Sequence, residues 1–116
     1  MFCFLPPTPG VDVMPRPSGP FHGRLSPTLL ICELNGTSCR SGEYKAGFLT
    51  NIGTNRIRVH EDGEFYWVEF EASRYGFDPA KRYRIQVFSL GQRIGQQDMT
   101  LPDSGPVEIR FRIQDD

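Results

Sequence analysis

No apolar run in this sequence approaches the ~20 residues a helix needs to cross a bilayer, so no membrane span is expected. No stretch sustains a helical hydrophobic period either. Neither sign of charge dominates. Thirteen Lys and Arg stand against 14 Asp and Glu, a net charge of -1, and nothing in bulk draws the chain toward nucleic acid. A conventional export signal is also missing. Met1 to Leu5 is apolar, but Pro6, Pro7 and Pro9 cut it short of the roughly 7–15 residues of a signal core. The expectation is a lost leader, a longer parent chain, or a protein that stays inside.

Catalytic sets are lacking as well. No serine sits in a nucleophile-elbow context and no glycine-rich loop is built to cradle phosphate. His60 precedes Glu61-Asp62, which makes a His–carboxylate pair conceivable, but a histidine at a strand end is usually a solvated side chain. His22 has less support still. Asp62, Glu64, Asp78 and Asp103 fall in or beside loops without the D-x-D-x-D spacing that calcium favours. The expectation is no cofactor, no metal and no enzymatic activity.

What is present points to a folded core. Hydrophobic residues make up 38% and include nine Phe and four Tyr, more than a disordered chain carries. A length of 116 residues suits one domain. Residues 1–27 differ from the rest: Pro6, Pro7, Pro9, Pro15, Pro17, Pro20 and Pro27 exclude a helix or central strand there. They read as an extended arm or linker. The sharper alternative is an arm that docks on a partner or a sheet edge through Val11 and Val13, by strand addition.

From residue 28 to 116 the pattern is that of strands. Apolar or alternating runs occur at 28–34, 44–50, 56–60, 64–71, 82–90, 93–101 and 107–113, separated by turn residues such as Asp62-Gly63 and Gly91. Alternation turns Tyr66, Val68 and Phe70 to one face, Tyr83, Ile85 and Val87 to another, and Val107, Ile109, Phe111 and Ile113 to a third. The class is all-β: an immunoglobulin-like antiparallel β-sandwich of about seven strands with an extended proline-rich N-terminal arm. An up-and-down barrel competes. The long, proline-containing connection between 71 and 82 favours the sandwich, because it suits a crossing between sheets.

The segment Ile31-Cys-Glu-Leu-Asn-Gly-Thr-Ser-Cys39 contains a hairpin signal. With Asn35 and Gly36 at the centre of a two-residue turn, Leu34 faces Thr37 and Cys32 faces Cys39. A Cys32–Cys39 disulfide is then expected in an oxidising compartment, and two reduced cysteines otherwise. Zinc is a weak reading because four ligands do not assemble from these residues with Cys3, His22 and His60. Asn35-Gly-Thr37 is also a glycosylation sequon, weakened by the turn's claim on Asn35. Cys3 is left over.

Arginines recur at alternate outward positions, Arg56 and Arg58, Arg82 and Arg84, Arg110 and Arg112. Neighbouring strands of this kind would form a guanidinium-lined face suited to anions. A mixed-charge solvated face is the plainer reading, since Glu64, Glu69, Glu71 and Glu108 can pair with them. Phe65 and Trp67 project opposite to Tyr66 and Val68, and if exposed they form a platform for sugar or protein.

Tyr66-Trp-Val-Glu-Phe70, Phe77-Asp-Pro-Ala-Lys-Arg-Tyr-Arg-Ile-Gln-Val87, Ile94-Gly95 with Asp98, and the closing Pro106-Val-Glu-Ile-Arg-Phe-Arg-Ile113 resemble a recurrent bacterial immunoglobulin-like module of secreted or cell-surface chains. The resemblance spans about residues 27–113 and takes in the paired-cysteine hairpin. The stretch from Thr100 to Pro106 is shorter than that pattern, and Gln96-Gln97 replaces a more apolar pair. It implies a secreted or surface location, a structural, adhesion or assembly role, and protein partners or copies of itself. A glycan- or anion-binding module, and a self-assembling subunit that uses the arm, are the alternatives.

Overall fold

The computed structural model describes residues 1–16, 19–40 and 44–115. Pro17 of the proline series, and 41–43 and Asp116 of the sandwich range, lie outside them. The described residues form two antiparallel sheets packed face to face, with nine strands where about seven were expected. The strands are β1 (Phe2–Leu5), β2 (Thr28–Asn35), β3 (Ser38–Cys39), β4 (Ala46–Leu49), β5 (Arg58–His60), β6 (Phe65–Glu71), β7 (Tyr83–Ser89), β8 (Gln92–Met99) and β9 (Pro106–Ile113). One sheet has the order β1-β9-β6-β5. The other runs β3-β2-β7-β8, with β4 also paired to β2. The 71–82 connection crosses from the first sheet to the second, as its length and proline suggested, and starts with a short 3-10 turn at Ala72–Arg74.

The core follows the alternation. Tyr66, Val68 and Phe70, then Ile109 and Phe111, meet Leu29, Ile31, Tyr83, Ile85 and Val87 between the sheets, and all are buried. The Tyr66 and Phe111 rings stack at 5.3 Å, and Phe48 stacks on Phe70 at 5.0 Å. Burying each such side chain contributes roughly 1.5–3 kcal/mol relative to exposure.

The arm is the largest departure from the sequence reading. Phe2–Leu5 precedes the first proline, so its amides are free to pair, and β1 adds to the edge of β9 with Phe2 opposite Ile113 and Phe4 opposite Phe111. Strand addition thus occurs within the chain, and through residues 2–5. Val11 packs against the same core, whereas Val13 is 76% exposed and lies outside any strand. Gly10 follows alongside β8, its carbonyl accepting from Gln97 Nε2 at 3.4 Å. Farther along, the Tyr66 hydroxyl donates to His22 O at 2.8 Å and accepts from Leu25 N at 3.1 Å, which holds residues 22–25 over the end of the sandwich.

The hairpin corrects the expected register. Asn35 pairs with Ser38 and Leu34 with Cys39, so Gly36 and Thr37 are the central turn residues, with Gly36 at a left-handed φ of 68°. Moving the turn by one position shifts the pairing by two residues. That shift preserves faces, because Cys32 and Leu34 share one side of β2. Cys32 therefore lies diagonal to Cys39 rather than opposite it, with Cα atoms 5.6 Å apart, and the two are disulfide-bonded. The loop closed is short, so loop entropy limits the contribution to about 2–3 kcal/mol. Denaturant unfolding with and without a thiol reductant should show a loss of that order.

Three carboxylates fasten the loops and strand ends. Glu71 accepts from Ser73 N at 2.8 Å and from Gly105 N at 3.0 Å. Those amides, Ser73 first, hold its carboxyl below the usual range. The Arg84 fork binds Asp98 at 2.7 and 3.0 Å and lowers it likewise. Burial alone would raise Glu33, but Lys81 and Arg40 outweigh it and the net shift is downward. With folded pKa values depressed, the unfolded chain binds more protons, so this stability is present above the ordinary carboxylate range and lost as pH falls from that range through the lower folded values. Thermal midpoints should hold from neutrality to about pH 5 and drop below about 4.5. Glu71→Gln should flatten that drop.

Candidate functional site

On β6 the residues that alternate with the buried Tyr66, Val68 and Phe70 face outward: Phe65, Trp67 and Glu69. Register then brings three rows across the outer face of the four-stranded sheet. His60 lies opposite Phe65, Trp67 lies between Arg58 and Arg110, and Glu69 faces Glu108. Together they form a groove of about 470 Å³ lined by His60, Phe65, Trp67, Glu69, Glu108 and Arg110.

Stacking fixes these side chains in place. The His60 and Phe65 rings are parallel within 5° at 4.8 Å. His60 Nδ1 accepts from Gly63 N at 2.8 Å, which directs Nε2 away from the β5–β6 turn. The Arg110 guanidinium lies 4.7 Å from the Phe65 centroid and pairs with Glu108. Arg58 lies 5.9 Å from the Trp67 centroid. Phe65 and Trp67 are half-buried, each keeping part of its ring in the groove.

The arginine pairs do not form one face. Their strands β5, β7 and β9 are nowhere neighbours: β6 separates β5 from β9, and β7 belongs to the other sheet. Arg84 is committed to Asp98 and to Thr37 O at 3.1 Å. Arg82 sits exposed in the loop before β7, and Arg56 is half-buried just before β5. Arg112 points outward as alternation requires, yet it is buried. It donates to Gln114 Oε1, Glu64 O and Gly19 O, and lies 5.5 Å from the Phe21 ring. Of the expected surface, then, the fold unites Phe65, Trp67, Arg58 and Arg110. It sets Arg56, Arg82, Arg84 and Arg112 apart.

The sequence reading missed the acidic pair and the groove's extension. Glu69 and Glu108 were legible as outward residues, but their juxtaposition depends on the β6–β9 register. Pro7, Pro9, Pro102 and Pro106 line an adjoining depression of about 350 Å³, and nothing local in the sequence connects them. Cys3, on β1, is free and half-buried, and burial pushes its thiol pKa up. Among the described residues, no three His, Cys, Asp or Glu side chains converge as metal ligands, and no helix is long and apolar enough to cross a membrane. Comparison with protein-family models, curated proteins and solved structures finds no match to this chain, which leaves the geometry of the groove to carry the functional reading.

Proposed function

We propose that the chain is a non-enzymatic adhesion module of an exported or surface protein, and that its groove holds an uncharged saccharide. One observation carries this reading: Phe65 and Trp67 lie side by side, half-open, in a groove that also presents one guanidinium and two carboxylates. Arg110, Glu69 and Glu108 line it, and Arg58 flanks Trp67 outside that lining. Aromatic faces suit the C–H surfaces of a sugar ring. Carboxylates accept from hydroxyls and guanidinium groups donate to them, so a polyol finds both kinds of partner. A sulfated or phosphorylated ligand would meet two carboxylates, and Arg110 is already paired with one of them. This favours the saccharide over the anion reading. The disulfide of the β2–β3 hairpin supports an oxidising compartment. Assembly by strand addition is less favoured, because β1 already occupies the edge of β9.

A neutral-glycan array tests the proposal. Wild type should be retained, Trp67→Ala should bind at least about tenfold more weakly, equivalent to about 1.4 kcal/mol, and Arg82→Ala, at an exposed position in the loop before β7, should bind normally. Retention on heparin but on no neutral glycan would overturn the assignment.

A further inference from the structure

The groove does not end at Glu69. The proline-walled depression shares both Glu69 and Glu108 with it. A third depression, of about 290 Å³ and lined by Thr54, Asn55 and Arg74 among others, also meets Glu69. Among the described residues no side chain pairs with Glu69, so a solvated carboxylate stands where the three depressions join. β6 runs beneath from Phe65 to Glu71, a floor about 20 Å long at ~3.3 Å per residue.

We infer that the site binds a saccharide chain of several units rather than a single sugar, laid from the Phe65–Trp67 platform past Glu69 to the walls of Pro7, Pro9, Pro102 and Pro106. This rests on the saccharide reading above and extends it to ligand length. The proline branch is preferred to the Thr54–Asn55 branch because it is larger and shares two groove residues instead of one. Its walls lack N–H donors and have fixed φ, so they guide a chain by shape. Glu69, midway, is placed to accept hydroxyls from consecutive units. The N-terminal segment contributes Pro7 and Pro9, so it completes the binding site as well as the core.

Titration calorimetry with two- and six-unit β-1,4-linked oligomers of glucose and of N-acetylglucosamine tests this. The six-unit ligand should bind at least tenfold more tightly than the two-unit ligand. Pro102 is exposed; Pro102→Trp should abolish that gain and leave two-unit binding intact, whereas Thr54→Trp should change neither. Far-ultraviolet circular dichroism confirms that each variant is folded. Equal affinity for both lengths, or a gain erased by Thr54→Trp and not by Pro102→Trp, overturns the inferred path while the saccharide site stands. Failure of both oligomer series and of every neutral glycan on the array removes the saccharide site, and the path with it.

Discussion

Deleting residues 1–5 should lower the stability of the domain by several kcal/mol and leave much of it unfolded at physiological temperature. Phe4 and Leu5 are buried to 8% and 7% exposure. Phe2 lies 4.8 Å from Phe4 and 5.5 Å from Phe111, centroid to centroid. Truncating one core phenylalanine typically costs about 3–5 kcal/mol, and a domain of this kind has only about 5–15 in total. The deletion also leaves the pairing groups of β9 open to water. A denaturant titration checks it, and an unchanged midpoint would show that β1 adds nothing to the core. Gly95 provides a finer probe, because a Cβ there would overlap the Phe2 ring from the opposite sheet. Gly95→Ala should destabilise the wild type but add little to Phe2→Ala, since both act by dislodging one ring.

Arg112→Leu should be the most damaging single substitution of a charged residue, at about 3 kcal/mol, since hydrogen bonds from a charged group contribute about 1.5–3 kcal/mol each. Its guanidinium donates to Gly19 O at 2.8 Å, Glu64 O at 3.1 Å and Gln114 Oε1 at 3.1 Å, and Glu64 Oε1 lies at 3.2 Å. Leucine fills part of the volume but withdraws the donors from the part-buried carbonyls of Gly19 and Glu64, which is the expensive outcome. Because Gly19 and Phe21 both touch this residue, the arm should also loosen. Limited proteolysis should cut the variant within residues 13–24 well before the wild type. Equal cleavage rates would mean that the arm is held elsewhere.

Arg112 also shows where sequence patterning stops being informative. Alternation along β9 set its direction correctly, outward from the sandwich. Outward proved not to mean solvated, because the segment around Gly19 to Phe21 lies over that part of the sheet. Period-2 patterns report direction, and only long-range packing decides what covers a face. The same distinction separates the readings that held from those that changed. Inward positions on β6, β7 and β9 followed from local order. The cysteine pairing survived a misplaced turn because a two-residue slip conserves sides. Prolines were rightly read as excluding a strand, but only from the point where they begin, and Phe2–Leu5 comes before them. In the site, Phe65 and Trp67 were visible from the strand pattern. Which arginines joined them depended on strand order, and strand order is not written in any one segment.

The short outer strands have a consequence for life at high local density. β3 has two residues, β5 three and β4 four, too few to template a foreign strand well. The eight-residue edge strand β8 is the inviting one, and Gly10 of the N-terminal segment packs beside it at Gln97 to Met99. That segment therefore acts as a guard rail. Copies crowded together would find the Gln97 to Met99 end of that edge already taken.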